Sequence, residues 1–457
     1  MIQDFINIVG IECVLISDDM RQRYAHDETE DLEYLPDVVL IPQTVEQISQ
    51  IMRYCNQHRI PVTPRGAGTG LAGGALPVCG GVVLSMEKFN KILHIDEQNL
   101  QVTTEAGVIT EVLQQAVQAK GLYYPPDPAS RGSCFIGGNI NTNSGGPRAV
   151  KYGVVKDYVL NLEVVLPSGE VIWTGANTLK NSTGYQLTQL MIGSEGTLGI
   201  VTKAVLKLLP LPAYNLLLLA PFRSAELAIA AVSAIFRAGI TPSALEFMER
   251  SAIEYAIRYI GNSTLPLAAD TQAHLLIEVD GNYLDTLQQD CERIYEILTN
   301  FEVGEILFAD SSEQKNELWK LRRAVGRAVK TGSIYKEEDT VVPRAELPHL
   351  LRAVKAIGQQ YGFESVCYGH AGDGNLHVNI LKGNLSDDYW KNELPKGIRA
   401  IFEVVKSLNG TISGEHGIGW VQRPYLNIKF GDTELALMRA IKQVFDPNNV
   451  LNPNKIF

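Results

Sequence analysis

Glycine placed in three separate loops is the feature that most narrows what this chain can fold into. The first loop, Pro64-Arg-Gly-Ala-Gly-Thr-Gly-Leu-Ala-Gly-Gly74, directly follows the short strand-like run Ile60-Pro-Val-Thr63. The second runs Pro125-Pro-Asp-Pro-Ala-Ser-Arg-Gly-Ser-Cys-Phe-Ile-Gly-Gly-Asn139 and continues through Asn143-Ser-Gly-Gly to Gly153, and the third is Gly193-Ser-Glu-Gly-Thr-Leu-Gly-Ile-Val201. Alternating glycines let successive backbone N–H groups face one concavity, a nest suited to a pyrophosphate. A Rossmann unit needs a helix opening at such a loop, and Gly70, Gly73, Gly74 and Pro77 interrupt one before the next strand at Val82. The Walker A pattern is absent too, since no Gly-Lys-Ser/Thr occurs there. One such loop alone is as compatible with a tight glycine hairpin. Three together imply a large, flat, elongated ligand touched mainly by backbone.

Near the C-terminal end, three of the eight histidines lie in glycine-framed segments. They are His370 and His377 in Tyr368-Gly-His-Ala-Gly-Asp-Gly-Asn-Leu-His377, and His416 in Ser413-Gly-Glu-His-Gly-Ile-Gly419. Glycines at 369, 372 and 374 each cost a helix about 1 kcal/mol, so the first segment reads as strand, tight turn over Ala371–Asn375, and returning strand. Such a hairpin brings two imidazoles together, Glu415 adds a carboxylate oxygen, and His416 is left for proton chemistry. Two histidines and one carboxylate with an open position form a recurrent catalytic metal site. A hydrogen-bonded turn is the plainer alternative.

At 457 residues, the chain exceeds a single core and predicts two or three domains. Its net charge of −11 argues against general nucleic-acid binding and against attachment to anionic lipid. No apolar run approaches the roughly 20 residues that span a bilayer. The start lacks a secretory signal, and six scattered cysteines without a Cys-x-x-Cys pair fit reduced thiols in the cytoplasm. Amphipathic spacing predicts a helix over Val45–His58, and residues 121–150 read as a long ordered loop. A domain boundary is expected at Pro210-Leu-Pro212. Beyond it, strands at Leu216–Leu219 and His274–Val279 alternate with helices at Ser224–Ala238 and Leu284–Asn300, an α+β layer.

In this order, the three loops resemble the FAD-binding domain of the vanillyl-alcohol-oxidase/PCMH flavoproteins. Gly-His-x-Gly-Asp-Gly-Asn-Leu-His, Gly-Glu-His-Gly and the ending Phe445-Asp-Pro-Asn-Asn-Val-Leu-Asn-Pro-Asn-Lys-Ile-Phe457 narrow the resemblance to the FAD-linked D-2-hydroxyacid dehydrogenases. These include D-lactate and D-2-hydroxyglutarate dehydrogenases and the glycolate oxidase FAD subunit. The resemblance covers nearly the whole chain from about residue 20. It implies an α+β protein with a PCMH-type FAD-binding domain of two α/β subdomains over 1–212. A ferredoxin-like substrate domain with the metal hairpin would occupy 213–410, and a segment over 411–457 would complete the active site.

By the same resemblance, Pro64, Arg65, Gly66, Ala67, Gly68, Thr69, Gly70 and Leu71 wrap the FAD pyrophosphate. Pro126, Asp127, Ser133, Cys134, Gly137, Gly138 and Asn139 lie along the isoalloxazine and ribityl, and Glu195, Gly196 and Ile200 hold the adenosine end. Cys134 is expected there as a small side chain and not as a redox group. Neither 64–74 nor 125–153 contains a histidine, so the FAD is expected to be non-covalent. His370, His377 and Glu415 match the residues that hold a divalent metal (Zn, Mn, Fe or Co), and His416 matches the base. Arg322 matches the substrate-binding arginine, Lys336 lies near the second cationic contact, and Asn375 either orients substrate or flavin or simply forms the turn.

Two departures from the hydroxyglutarate pattern favour a small monocarboxylate such as D-lactate or glycolate. Asp339 stands one residue further from Lys336, and position 326 is glycine. A separate electron acceptor is implied, whether quinone, cytochrome, electron-transfer flavoprotein or iron–sulfur subunit, and membrane association would be peripheral through such a partner. A metal hydrolase built on the His/His/Glu set alone and a non-catalytic flavin-binding subunit are the competing readings.

Overall fold

A computed structural model describes residues 1–261 and 267–457. The chain forms two compact units. One comprises Met1–Gly145, Val154–Leu211 and Glu415–Phe457, and the other comprises Gly146–Gly153 and Pro212–Gly414. Against the continuous segments expected from sequence, residues 146–153 leave the first stretch for the second unit, and 411–457 divides after Gly414. The excursion has an electrostatic cause: Arg148 pairs with Glu278 at 2.8 Å, and the Tyr152 hydroxyl donates to Asp280 at 2.8 Å. In the same way, Thr411 bridges to Val341, which ties 411–414 to the second unit's sheet.

The first unit contains a four-stranded sheet ordered Val14–Leu15, Val38–Leu40, Val82–Ser85, Val62–Arg65. Its last two pairings are parallel. Helix Val45–His58 crosses between Val38–Leu40 and Val62–Arg65, burying Ile48, Ile51, Met52 and Cys55 at helical spacing. Thr44 and Gln47 close a capping box at its start, and Arg59 ends it in the left-handed region. Residues 66–81 then join two parallel neighbours without a helix, so the first glycine loop stands at the end of strand Val62–Arg65. A five-stranded antiparallel sheet follows, ordered Ile92–Asp96, Gln101–Glu105, Ile200–Lys207, Val159–Val165, Val171–Trp173.

The long loop expected over 121–150 contains two short helices, Ile136–Thr142 and Ala149–Tyr152. Packing overrides glycine's low helix propensity here. Ile136 and Ile140 are fully buried one turn apart, and the Gly137 N–H donates to Ala106 O at 2.7 Å. A Cβ at Gly137 would lie 2.8 Å from that of Ala106, so only glycine permits this approach.

The second unit is built on a seven-stranded antiparallel sheet. Its order is Leu307–Ala309, Tyr214–Phe222, Ala273–Gly281, Ala244–Glu249, Glu364–Gly369, Asn375–Leu381, Tyr335–Val341. Helices Arg250–Ile260 and Ser312–Gly332 cover part of one face around a core of Leu217, Met248, Leu276, Leu321, Val325 and Tyr368. Hairpin Glu364–Gly369/Asn375–Leu381 turns through 371–374. Gly374 sits at φ 92°, where an added Cβ would meet Val342 O at 2.0 Å.

Candidate active site

Within the first unit, the three glycine loops converge. A Cβ on Gly66 would stand 4.0 Å from Gly138 Cα, and one on Gly196 would come 2.8 Å from Pro64 Cγ. The third loop rests on helix Ile136–Thr142, where Glu195 N–H donates to Asn141 O and Gly196 N–H to Asn141 Oδ1. Around this junction lie polar groups left unspent. Arg65 Nη1 and Ser194 Oγ are buried without a hydrogen-bond partner, and a Cβ on Gly138 would meet open space. Unsatisfied buried donors beside exposed glycine backbone are what an extended phosphate-bearing ligand requires, so these loops fit FAD. Desolvation pushes the Asp27 carboxyl up and the Arg65 guanidinium down, and each partly offsets the other as a counter-charge.

Several side chains of the second loop act as its scaffold. Buried Asp127 accepts from Arg131 at 3.2 Å, Asn139 donates to Thr110 at 2.6 Å, and buried Cys134 lies 3.4 Å from the same Thr110 hydroxyl. Exposed Ser133 bonds Ser130 O at 3.2 Å, and Gln114 donates to Pro126 O at 2.8 Å. Ile200 is a buried strand residue paired with Val165. Ala67, Gly68, Thr69, Gly70 and Leu71 lie in irregular, partly exposed backbone.

Glu195 links the third loop to the C-terminal stretch. Its carboxylate accepts from Ile418 N–H at 2.8 Å and Gly419 N–H at 2.6 Å, and burial pushes its pKa up to about 7. Asn452 adds bonds to Gly74 O and Glu195 O. Residues just after His416 are therefore pinned to the third glycine loop. Glu415 lies against Gly145, where an added Cβ would reach its Oε1 at 2.6 Å.

In the second unit, register decides which side chains meet. His377 pairs across the sheet with Asp339 on one side and Tyr368 on the other, and Asn379 pairs with Glu337 and Val366. Cross-strand partners share a face, so Tyr368, His377, Asn379, Glu337 and Asp339 stand together. The His370 and His377 rings are 5.4 Å apart and nearly perpendicular. His377 Nδ1 lies 3.1 Å from Glu337, and Asn375 donates to Asp339 at 2.6 Å. Arg322, 7% exposed, reaches down from helix Ser312–Gly332 over the Tyr368 ring. Gly326, one turn along, makes room for Tyr368, whose hydroxyl would be 3.1 Å from an added Cβ.

Lys336 does not join this group. Strand alternation turns it to the other face from Glu337 and Asp339, where its Nζ stands over buried Trp390 at 5.6 Å. Asn375 is more than a turn-former, since its amide fixes Asp339 while its Oδ1 is buried without a partner.

Sequence reasoning missed Glu246. It is fully buried in strand Ala244–Glu249, with its oxygens 2.8 and 2.9 Å from His370 Nδ1 and 2.6 Å from Arg322 Nη2. The available signal was a lone carboxylate in the strand-like run Ala244-Leu-Glu-Phe-Met248. Glu415 and His416 directly follow Gly414, whose N–H donates to the Asp339 carboxylate at 2.9 Å.

Residues 36–175 match the FAD binding domain family, and residues 211–456 match the C-terminal domain of FAD linked oxidases. The chain belongs to the FAD-linked oxidases. This FAD-linked oxidase is 41% identical to glycolate oxidase subunit GlcD of Bacillus subtilis, with 100% of this chain and 96% of that one covered. It is 37% identical to D-lactate dehydrogenase of Anaerostipes hadrus, covering 100% and 97% of the two chains. Against D-2-hydroxyglutarate dehydrogenase of Stutzerimonas stutzeri the identity is 35%, covering 100% and 98%. Substrate-bound p-cresol methylhydroxylase shares the fold, with TM-score 0.81 at 19% identity over 100% of this chain and 96% of that one. The protein is thus an FAD-linked oxidoreductase of PCMH-type α+β architecture. Among the described residues, no helix is long and apolar enough to cross a membrane.

Proposed function

We propose that this oxidase converts a D-2-hydroxy acid, D-lactate or glycolate, to the corresponding 2-oxo acid. The observation that carries the reading is Arg322, a buried guanidinium held over Tyr368 and ion-paired through Nη2 to Glu246, with its Nε left without a hydrogen-bond partner. A buried planar guanidinium with a donor to spare suits a substrate carboxylate. The names of the relatives agree, two of them stating glycolate and D-lactate as what those proteins act on.

In this reading, Arg322 binds the carboxylate and Asn375 helps orient the substrate. His416 accepts the hydroxyl proton as the Cα hydride leaves, which requires a neutral imidazole near pH 7. Non-covalent FAD, which the three loops would hold, would supply the hydride acceptor. His370, His377 and Glu415 are the set that would hold a divalent cation. The donor chemistry fits: Glu246 fixes the outer nitrogen of His370, the usual support of a ligating imidazole, and Gly414 anchors the chain immediately before Glu415. Such an ion would supply Lewis acidity that lowers the hydroxyl pKa. Electrons then leave to a separate acceptor, a quinone, cytochrome, electron-transfer flavoprotein or iron–sulfur subunit. The enzyme would work in the cytoplasm, alone or as the flavin subunit of a glycolate oxidase-type complex.

D-2-hydroxyglutarate is the second reading, favoured by the third relative's name. Lys336 facing Trp390 and the bare Gly326 weigh against a second substrate carboxylate. The test is the anaerobic visible spectrum of the purified flavoprotein during addition of D-lactate, L-lactate, glycolate and D-2-hydroxyglutarate. Bleaching by D-lactate or glycolate and not by L-lactate is expected. Bleaching by hydroxyglutarate alone would transfer the assignment to the second reading, and bleaching by none would sink both.

A further inference from the structure

We propose that Glu246 is a positioning residue that sets the ligating nitrogen of His370 and the orientation of Arg322 at once. The inference rests on the hydroxy-acid reading above and assigns a role to a residue outside its motifs. Glu246 is fully buried on strand Ala244–Glu249, between Leu245 and Phe247 of the hydrophobic core. Buried carboxylates persist where they are paired, and this one has two partners on different elements. Its oxygens lie 2.8 and 2.9 Å from His370 Nδ1 on the hairpin, while Oε2 lies 2.6 Å from Arg322 Nη2 on helix Ser312–Gly332.

Each contact has a chemical consequence. A carboxylate only accepts, so the His370 ring proton sits on Nδ1 and the lone pair is on Nε2. This is the tautomer in which Nε2 can ligate a cation. On the other side, Glu246 Oε2 pairs with Arg322 Nη2 at 2.6 Å, and Nε is left without a hydrogen-bond partner. The guanidinium is thereby balanced in charge and fixed in orientation, with Nε left for a ligand. A single carboxylate thus couples the metal-side histidine to the substrate-side arginine. A mere counter-ion for Arg322 would need no contact with His370.

Glu246→Gln keeps the shape, removes the charge, and permits the wrong histidine tautomer through its amide N–H. The test uses FAD-loaded, metal-stripped full-length protein titrated with Mn²⁺ and separately assayed with D-lactate. The expected result is a metal Kd weakened by about 10- to 100-fold, with FAD content and visible spectrum unchanged. In a His370→Gln background the same change should leave the residual metal affinity unaltered while still raising KM. Equal Mn²⁺ affinity in wild type and Glu246→Gln would overturn the inference. Failure of the wild type itself to bind any divalent cation would instead overturn the metal part of the functional reading. Should Glu246→Gln not fold, ¹⁵N-histidine NMR of the metal-stripped wild type decides. A proton on Nδ1 of His370 supports the role, and a proton on Nε2 alone refutes it.

Discussion

Replacing Arg322 by lysine tests the substrate site while sparing the fold. Arg322→Met would leave Glu246 as a buried, uncompensated charge, at a cost of about 3–5 kcal/mol, and stability would then obscure function. Lysine keeps the positive charge near Glu246 but cannot present a planar fork. Arg322 Nη2 already pairs with Glu246 while Nε has no hydrogen-bond partner, and an ammonium in place of the planar fork keeps the Glu246 pairing but loses the contact a substrate carboxylate makes with Nε. A hydrogen bond to a charged group contributes about 1.5–3 kcal/mol, so one lost contact lowers kcat/KM by about 10- to 150-fold. Loss of the stacking over Tyr368, at 5.1 Å, adds to the deficit. Steady-state turnover of D-lactate with a dye acceptor, compared at equal FAD content, measures this directly. Most of the loss should appear in KM, because the carboxylate is bound before and during hydride transfer. A kcat/KM within about twofold of wild type would show that Arg322 does not bind the substrate.

His416→Asn should retain FAD and metal while turnover falls about 100-fold or more, the scale of a lost general base, as read by single-turnover flavin reduction. Gly68→Ala should release FAD more readily, because Gly68 has φ 72° and an added Cβ would lie 2.2 Å from Arg65 Nη2. Dialysis followed by the visible spectrum checks it, and full retention of flavin would remove that loop from the cofactor site. For Glu195, burial raises the folded pKa from 4.5 to about 7, so between those values the native state holds a proton that the unfolded chain releases. Its contribution to stability therefore falls as pH rises through that window, by about 2–3 kcal/mol after allowance for partial exposure. Glu195→Gln should abolish this component and gain on wild type as pH rises. Thermal melts at several pH values check it, and a pH-independent difference would refute it.

Local chemistry was legible wherever neighbours in the chain decide the outcome. Amphipathic spacing specified helix Val45–His58, and glycines at 369, 372 and 374 specified the turn of the hairpin that carries His370 and His377. The three glycine loops implied an extended ligand for the same reason, since backbone freedom is written in residue type. The helix at Ile136–Thr142 was not legible, because burial of Ile136 and Ile140 against distant elements outweighs the glycines. Nor was the side of the sheet taken by Lys336, since a one-residue change of parity turns every side chain to the opposite face. The partnership of Glu246 with His370 spans 124 residues of sequence. By itself, the sequence determined which groups this oxidase possesses and which short segments present them. Only the tertiary structure decided which of those groups meet, because strand register and long-range burial, not spacing along the chain, set the distances between charged side chains.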